Sequence, residues 1–486
     1  MKVLKDILFG VPLQTVAGST GIQISQVAFD SRKVVKGTLF VAIEGTQHDG
    51  HKHIQDAIDA GAVAVLCSTM PKALDKSISY ISCANTRKAL AIVASNWFDH
   101  PSKALKLVGI TGTNGKTSVA TMAYQLFHHL GFTAGLVSTV EIRIGEKTMP
   151  STHTTPNPLE LHGILRAMVD AGVSHCFMEV SSHGIDQERI ANIHFSGAVF
   201  TNLTHDHLDY HNDFKHYRDT KKTLFDILPT AAFALSNADD KNGKYMLQNT
   251  RATKRFYGIK CVADIQLKIL EKSFEGMLLK VQHEEVWTPL VGDFNASNFA
   301  CVLAIALLLN EEKTDVLPVL STLKGAAGRF QSVPTTNGVI AIVDYAHTPD
   351  ALKQVLDTIS VLRTRNEKVI IVVGCGGNRD KGKRPLMAKI AVEKSDLAIF
   401  TSDNPRMEDP DAIIADMIEG VPAEASRKYL TVTDRAQAIK TACTMAKDED
   451  IILVAGKGHE TYQEQNGTRV LFDDVAALMK NLKSDK

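Results

Sequence analysis

The sequence lacks the features that mark secreted, nucleic-acid-binding and metal-ribbon proteins. Its seven cysteines are scattered and form no C-x-x-C pair, which argues against a disulfide framework and for a reducing compartment. Lys plus Arg equals Asp plus Glu, at 54 each, so no overall field favours nucleic acid or an anionic membrane. We therefore expect neither as a partner, and we expect local sites to bind any charged ligand.

Long apolar runs are missing as well. The longest, Phe299 to Leu309, has eleven residues; this is too short to cross a bilayer and predicts a buried helix. The N-terminus carries Asp6 and only a short apolar patch from Ile7 to Leu13, which makes a poor signal peptide. With 44% apolar and 22% charged residues, the composition is that of a globular protein. We expect a cytoplasmic enzyme.

The chain of 486 residues exceeds what one hydrophobic core usually supports, and its length predicts about three domains. Candidate linkers at Asp99–Ser102 and Gly325–Gly328 divide it into residues 1–100, 101–333 and 334–486. Short apolar strands alternate with amphipathic helices, which predicts α/β domains with mostly parallel sheets. The C-terminal part suggests a dinucleotide-binding-like sheet, but Gly374 to Asn378 lacks G-x-G-x-x-G spacing, so no nicotinamide site is predicted.

A glycine-rich turn connects a predicted strand, Lys106 to Ile110, with a predicted helix, Val119 to Leu130. In such a turn backbone N–H groups surround an anion, Lys116 adds a full charge, and the Thr117 hydroxyl can ligate Mg²⁺. The spacing is not the strict G-x-x-x-x-G-K-[ST], because the nearest upstream glycine, Gly109, lies one residue early. We interpret the segment as a variant P-loop that binds nucleotide phosphates. The alternative is an ordinary strand-to-helix turn with an incidental lysine.

A polar segment follows the next predicted strands. Three histidines and two aspartates fall between His205 and His211, which suggests a metal or phosphate site. Because no cysteine lies nearby and a hard cation suits a P-loop, we favour Mg²⁺ over zinc. Glu179, at the tip of an apolar strand, is a candidate Mg²⁺ ligand or water-orienting base. Most of these side chains could individually be solvated or cap helices instead.

Three polar loops follow strands in the C-terminal part, at Asp344–Pro349, Asp403–Arg406 and Gly456–Glu460. Arg406 offers a fork for a carboxylate and Asp403 an acceptor for an ammonium group, which is the pair of contacts that an amino acid needs. Each loop alone is a weak signal, since Asp-Asn-Pro is also an ordinary turn. Their shared position at strand ends favours an amino-acid site.

Five motifs, in order along the whole chain, closely resemble those of the Mur ligases of peptidoglycan synthesis. They are TGTNGKT at 111–117, EVSSHG at 179–184, TNLTHDHLD at 201–209, DYAHTP at 344–349 and DNPR at 403–406. The resemblance implies three domains and ATP-dependent amide formation through an acyl phosphate. It also implies that meso-diaminopimelate is added to a UDP-N-acetylmuramoyl-dipeptide, with Mg²⁺ as cofactor, by an enzyme that we expect to be a monomer.

The resemblance assigns catalysis to Lys116, Glu179, His207 and Lys221, the last as a carbamylated lysine. Mg²⁺ would be held by Thr117, Thr139, Glu179 and His207. ATP would be bound by Gly112, Thr113, Asn114, Gly115, Lys116, Thr117, Ser118, Asn295, Asn298, Arg329, Asp344, Tyr345 and His347. On residue type alone, Lys221 would be a surface lysine on a helix beside Lys222, and only the family pattern favours a modified side chain.

The resemblance also assigns both other substrates. The UDP-muramoyl-peptide would meet Ser31, the loop from Glu44 to His48, and Thr154, Thr155, Ser181, Gln187 and Arg189. Diaminopimelate would meet Arg379, Asp403, Asn404, Arg406, Gly456 and Glu460. Arg406 would be the selector, because diaminopimelate differs from lysine by one carboxylate and a site built for a polar group rejects the analogue lacking it.

Two alternatives remain. A folylpolyglutamate synthetase-like ligase would share the P-loop, but the N-terminal unit and the DNPR segment favour the Mur interpretation. A P-loop ATPase without ligase chemistry would release phosphate with no amino acid present. The departures from the family pattern that we note are the proline after Thr154-Thr155, Gln47-His48 in the uridine loop, and Asn378 before Arg379.

Overall fold

The computed structural model describes residues 1–45, 49–204, 206, 210–336, 338–364 and 366–482. It is a mixed α/β protein whose main sheets have parallel centres, as predicted. Three successive parts of the chain each build a sheet covered by helices. The boundaries at residues 100 and 333 stay a proposal, and we note that the strand Gln331–Val333 belongs to the third sheet.

The first sheet has the order β2-β7-β6-β5-β4 among the described residues. Its middle strands are parallel and almost entirely buried, whereas β2 is an exposed antiparallel edge. The elements of this part are β1 Lys2–Val3, α1 Leu4–Ile7, β2 Leu13–Ala17, β3 Gln23–Ile24, β4 Gln26–Ala28, β5 Thr38–Val41, α2 Ile54–Asp59, β6 Ala62–Cys67, β7 Ser79–Cys83 and α3 Thr86–Trp97.

The second sheet carries the glycine-rich turn. Its elements are β8 Lys106–Thr111, α4 Lys116–His129, β9 Ala134–Val137, β10 Glu141–Ile144, β11 Lys147–Pro150, α5 Pro158–Asp170, β12 His175–Glu179, α6 Ser182–Asp186, β13 Gly197–Phe200, α7 Phe214–Asp226, β14 Phe233–Asn237, α8 Gly243–Met246, β15 Thr253–Gly258, β16 Ile265–Lys272, β17 Met277–Val281, β18 Glu284–Thr288, α9 Asp293–Leu308 and α10 Lys313–Leu320.

The strands of this sheet run in the order β11-β10-β9-β12-β8-β13-β14-β15-β16-β17-β18 in the described part of the chain. The central strands, from β9 across to β16 in that order, pair in parallel, so their carboxyl ends meet at one edge. The prediction of simple strand-helix alternation to residue 333 is wrong for residues 265–288, which form an antiparallel meander. Its turns use Gly276 and Gln282, both with positive φ.

The apolar run predicted to be a buried helix lies in α9. This helix is apolar on all sides and buried along most of its length, as expected of a helix surrounded by protein. It packs between α4 and strands β14, β15 and β16. Among the described residues no helix is long and apolar enough to cross a membrane.

The third sheet has the order β19-β20-β24-β21-β22-β23 in the described residues. Thr348 caps α11 by accepting from Ala351 N, and Pro349 occupies its first turn, a strong helix start. The elements are β19 Gln331–Val333, β20 Ile340–Asp344, α11 Pro349–Leu362, β21 Val369–Val373, α12 Lys383–Lys394, β22 Leu397–Phe400, α13 Pro410–Ile418, β23 Tyr429–Thr431, α14 Arg435–Met445, β24 Ile451–Ala455, β25 Tyr462–Gln465, β26 Thr468–Leu471 and α15 Asp474–Leu482.

Candidate functional site

The glycine-rich turn lies between β8 and α4, at the carboxyl edge of the second sheet. Gly115 has φ +87°, and a Cβ there would lie 2.9 Å from Asn298 Oδ1. A Cβ on Gly112, at φ +151°, would collide with the Thr201 hydroxyl. Any larger residue at these two positions would clash with Thr201 or Asn298. The close approach of the loop to the end of β13 and to α9 therefore requires glycine. The loop also leads directly into the N-terminus of α4, and the partial positive charge of a helix N-terminus favours anions.

Lys116 begins α4 and folds back over the loop. Its Nζ donates to the carbonyl oxygens of Gly112 at 3.0 Å and Thr113 at 2.7 Å. Burial lowers its pKa, and the nearby carboxylates of Glu179 and Asp206 oppose that shift. The ammonium group therefore lies over the glycine-rich loop. A phosphate oxygen bound there would compete with these two carbonyl oxygens for the hydrogen bonds of Nζ.

The segment after β13 ties the loop in place. Thr201 Oγ1 donates to the Asn114 carbonyl at 2.6 Å. The Asn202 side chain donates to the same oxygen at 3.0 Å and accepts from Asn114 N at 2.9 Å. The sequence predicted a chemical role for this segment, but it offered no reason to expect that Thr201 and Asn202 hold the glycine-rich loop. His205, His207, Leu208 and Asp209 lie outside the described residues, so the assignment of His207 is not tested.

Glu179 ends β12 with its side chain fully buried. Thr139 donates to it twice, from N to Oε1 at 2.8 Å and from Oγ1 to Oε2 at 3.1 Å. The Thr139 hydroxyl also lies 3.0 Å from Thr154 Oγ1. The predicted neighbours Thr139 and Glu179 are thus in direct contact.

The donors fit a hard cation. A buried carboxylate held by neutral donors, with hydroxyl oxygens beside it, matches the oxygen ligands of Mg²⁺, which takes one or two carboxylates and completes its shell with water and phosphate. Among the described residues no three His, Cys, Asp or Glu side chains are grouped as metal ligands. Thr117 and Thr139 with Glu179 would hold the ion together with substrate oxygens.

Lys221 lies inside the protein, one turn after Tyr217 on α7. Its side chain is 1% exposed, its Nζ donates to the Gly112 carbonyl at 2.9 Å, and it lies 4.7 Å from the centre of the Tyr217 ring. Burial lowers the pKa of Lys221 well below its ordinary value, and the charge of Lys116 adds to this shift. The surface-lysine interpretation is therefore wrong, and the lowered pKa favours the unprotonated amine beside the glycine-rich loop.

A cleft of about 480 Å³ lies beside the loop and extends to the third sheet. Predicted ATP residues line it, namely Asn114, Gly115, Ser118, Asn298, Arg329, Asp344, Tyr345 and His347. Asn295 lies behind them and accepts from the Asn298 side chain at 3.1 Å. The sequence did not single out other lining residues, which include Asp239, Tyr257, Lys260 and Phe294. A tyrosine in a strand and isolated charges in turns carry no distinctive sequence signal.

Arg329 connects the two sheets. Its Nη2 lies 3.4 Å from Thr117 Oγ1, and its guanidinium lies 4.5 Å from the Tyr345 ring centre. Asp344 accepts from Phe330 N at 2.6 Å and from Ala346 N at 2.7 Å, which fixes the turn that follows β20. Burial lowers the pKa of His347 to about 4, so this ring is neutral at physiological pH.

The predicted muramoyl-peptide residues form one hydrogen-bonded group around Thr155. Thr155 Oγ1 donates to the Glu179 carbonyl at 3.0 Å and accepts from Ser181 N at 3.0 Å. Arg189 donates to the Thr155 carbonyl and to Gln187 Oε1. Thr155 stays in this group although Pro156 follows it. Ser31 lies apart, at the start of a 3₁₀ turn next to the first sheet, and residues 46–48 of the predicted uridine loop lie outside the described residues.

The predicted diaminopimelate residues come together at the carboxyl edge of the third sheet. Asn404 Nδ2 donates to Glu460 Oε2 at 2.7 Å. A Cβ on Gly456 would lie 2.6 Å from Asp403 Oδ2, and one on Gly376 would lie 3.0 Å from Arg406 Nη1 and 4.0 Å from Arg379 Cγ. The two arginines therefore lie beside Gly376, and Asn404 joins the loop of Asp403 to the loop of Glu460.

Comparison with known protein families identifies all three parts of the chain. Three segments match family profiles: Mur ligase family, catalytic domain, at residues 23–105; Mur ligase middle domain at residues 110–306; and Mur ligase, glutamate ligase domain, at residues 328–458. The chain belongs to the Mur ligase family.

The similarity to individual Mur ligases extends over nearly full length. The UDP-N-acetylmuramoyl-L-alanyl-D-glutamate--2,6-diaminopimelate ligases of Cytophaga hutchinsonii and Parabacteroides distasonis are each 50% identical, covering 97% and 98% of both chains respectively. A solved structure of a UDP-N-acetylmuramoyl-L-alanyl-D-glutamate--2,6-diaminopimelate ligase is 31% identical with a TM-score of 0.70, covering 99% of both chains. The five motifs therefore identified the Mur ligase family correctly.

Proposed function

We propose that this Mur ligase joins diaminopimelate to UDP-N-acetylmuramoyl-L-alanyl-D-glutamate with conversion of ATP to ADP and phosphate. The observation that carries the proposal is the contact between the linker and the amino-acid loop. Gly328, next to Arg329, packs so closely on Gly458 and His459 that a Cβ there would collide with their backbone. Arg329 lies beside Thr117 of the glycine-rich loop, and Glu460 follows His459, so a phosphate bound at that loop would lie on the same side of the linker as an amine bound at Glu460.

The first step transfers the phosphoryl group. A carboxylate oxygen of the peptidyl substrate attacks the γ-phosphorus of ATP, the bond to the bridging oxygen breaks, and ADP leaves with that electron pair. This reaction needs alignment and charge neutralisation more than covalent help from the protein. Lys116 and the N–H groups of the loop would bind the phosphates, and Arg329 would lie beside them. Thr155, Ser181 and Arg189 would hold the muramoyl-peptide beside Glu179.

The second step forms the amide. The amine nitrogen of diaminopimelate attacks the acyl phosphate carbon, the carbon–oxygen bond to phosphate breaks, and a proton leaves the nitrogen. Arg406 and Arg379 would bind carboxylates, while Asp403 and Glu460 would accept from ammonium groups. A planar guanidinium matches a carboxylate bidentately, so Arg406 supplies a reason to prefer diaminopimelate over lysine, which lacks that group.

The proposal includes Mg²⁺ and a modified lysine. Bound Mg²⁺ supplies positive charge that neutralises the γ-phosphate and the incoming carboxylate. Thr117, Thr139, Glu179 and His207 would be its protein ligands. Burial favours the unprotonated amine of Lys221, which would react with CO₂ to give a carbamate and release a proton, so that a negative charge would lie beside the loop. We further propose a cytoplasmic monomer that binds neither nucleic acid nor membrane.

An isotope experiment tests the reaction path. UDP-N-acetylmuramoyl-L-alanyl-D-glutamate labelled with ¹⁸O in its carboxylates is incubated with ATP and diaminopimelate. Through an acyl phosphate, each released phosphate carries one ¹⁸O atom, because the carboxylate oxygen stays on phosphorus when the amide forms. Unlabelled phosphate together with amide product would contradict the proposed path. Phosphate release with no amide product would favour a P-loop ATPase.

A further inference from the structure

Lys457 is a buried lysine in the loop between β24 and β25. Its side chain is fully buried, and the sequence pattern assigns it no role beyond its position in that loop. We propose that Lys457 is a positioning residue that holds Asn404 and Glu460 in the arrangement that binds the incoming amino acid. This inference rests on the proposed function, because those two residues would contact diaminopimelate.

Three side chains form a closed set of hydrogen bonds. Lys457 Nζ donates to Asn404 Oδ1 at 3.1 Å and to Glu460 Oε2 at 3.0 Å. Asn404 Nδ2 donates to the same Glu460 oxygen at 2.7 Å. Each side chain is therefore held by both others, and a change in one is transmitted to the remaining two.

The lysine fixes which way the Asn404 amide points. Its Oδ1 accepts from Lys457 and also from Glu464 N at 3.0 Å, while its Nδ2 faces the carboxylate of Glu460. An amide has one acceptor end and one donor end. A flipped amide would direct its NH₂ group at two donors, so the cation leaves Asn404 with one orientation toward a ligand.

The charge of Lys457 compensates the carboxylates of this loop. Asp403 lies against Gly456, and Glu460 lies in the same loop as Gly456. The ammonium group bonds to Glu460 Oε2 and lies 5.5 Å from the Tyr462 ring centre, within range of a favourable cation–π contact. Both bonds found to Glu460 among the described residues go to Oε2, which leaves Oε1 for the ligand.

The partners of Lys457 determine what its loss should change. Its side-chain hydrogen bonds in the described residues go only to Asn404 and Glu460, and none goes to the nucleotide loop or to the group around Thr155. Replacing it by methionine keeps an unbranched chain but removes the charge and the donors. The amino-acid site should therefore lose affinity while the ATP and muramoyl-peptide sites keep theirs.

The test compares Lys457→Met with wild type and with Lys440→Met, an exposed lysine on α14, which packs on the same sheet. Steady-state kinetics give KM for all three substrates. We expect KM for diaminopimelate to rise about tenfold or more, since hydrogen bonds to charged groups are the strong ones. KM for ATP and for the UDP-substrate should change less than about twofold, and Lys440→Met should match wild type. An equal rise of all three KM values would overturn the proposal.

A double variant separates positioning from loss of structure. Glu460→Gln alone should weaken diaminopimelate use, and adding Lys457→Met to it should cost less than Lys457→Met costs in wild type, because Lys457, Asn404 and Glu460 form one set of hydrogen bonds. Factors that multiply as independent effects would contradict the proposal. The double variant removes both charges of the pair, so we expect it to fold even if Lys457→Met alone, which leaves the Glu460 carboxylate without its cation, does not. A wild-type enzyme without diaminopimelate-dependent turnover would overturn the proposed function, and the role of Lys457 with it.

Discussion

Lys221 donates a hydrogen bond from its Nζ to the carbonyl oxygen of Gly112, at 2.9 Å. This bond joins α7 to the glycine-rich loop that precedes α4. Because the amine is buried and lies near the charge of Lys116, its pKa falls well below the ordinary value. A side chain that would be a surface cation on most helices is here a buried amine beside the glycine-rich loop, and burial disfavours its protonation.

The buried amine with its lowered pKa predicts carbamate formation at Lys221. With ¹³C-labelled bicarbonate, wild-type protein should show a carbamate signal by ¹³C NMR, and Lys221→Met should not. Only the unprotonated amine reacts with CO₂, so the signal should weaken as pH falls through the lowered pKa of Lys221. Lys222→Met is the control, because Lys222 is paired with Asp226 on the same helix. A signal that persists in Lys221→Met would place the carbamate elsewhere.

Lys116→Met should slow the reaction far more than it weakens ATP binding. The ammonium group lies over the loop and donates to two carbonyl oxygens. Its positive charge should stabilise the transition state more than bound ATP, because negative charge redistributes during phosphoryl transfer. We expect kcat to fall at least about a hundredfold, the usual effect of removing one transition-state donor. Single-turnover kinetics and ADP binding by calorimetry measure the two quantities. A large loss of ADP affinity with unchanged kcat would assign Lys116 to ground-state binding.

Arg406→Lys should reduce discrimination between diaminopimelate and L-lysine. Arg406 has φ +53°, its Nη1 donates to Gly377 O at 2.8 Å, and its backbone N donates to Glu464 O at 3.0 Å. A lysine keeps the charge but loses the bidentate fork, so the ratio of kcat/KM values for the two amino acids should fall at least about tenfold. KM for ATP should not change. An unaltered ratio would remove Arg406 from the amino-acid site.

The buried histidine His162 predicts acid sensitivity. It is fully buried on α5, its ring nitrogens have no hydrogen-bond partner among the described residues, and burial lowers its pKa from 6.5 to about 4. The unfolded chain therefore binds the proton more readily, and His162 reduces stability progressively as pH falls from 6.5 to about 4. The cost between about pH 7 and about pH 5 should be about 2 kcal/mol.

Urea unfolding at the two pH values, followed by tryptophan fluorescence, measures this cost. His162→Leu should lose less stability over that interval than wild type, and His283→Leu, at an exposed turn, should behave like wild type. Equal pH dependence in all three proteins would show that His162 does not contribute. Other buried histidines, such as His175 and His347, shift in the same direction, so wild type should keep part of its slope.

The sequence predicted those features that depend on local pattern. The apolar run after Asn298 predicted the buried helix α9, and the glycines before Lys116 predicted a tight loop between a strand and a helix. Loops after parallel strands predicted that Asp403 and Glu460 would share an edge, since the carboxyl ends of such strands meet. The antiparallel meander of β16 to β18 was missed, because its strands mix polar and apolar residues at the sheet's edge.

Features that depend on contacts between residues far apart in the chain could not be predicted from the sequence. Lys221 and Lys222 are adjacent lysines on a polar helix, and nothing in their spacing shows that both are buried. The role proposed for Lys457 depends on its hydrogen bond to Asn404, which lies 53 residues earlier in the chain. Thr201 and Asn202 hold Asn114 across 87 and 88 residues. Such pairs follow from the packing of whole elements, which a local pattern does not encode.

The proposed ligase activity is tested most directly by a phosphate-release assay with the substrates added in turn. ATP turnover should require both UDP-N-acetylmuramoyl-L-alanyl-D-glutamate and an amino acid, with meso-diaminopimelate far better than L-lysine or L-ornithine. Phosphate release at the same rate without the UDP-substrate or the amino acid would contradict the ligase activity. Equal rates with the three amino acids would contradict the proposed selectivity, because Arg406 would then select nothing.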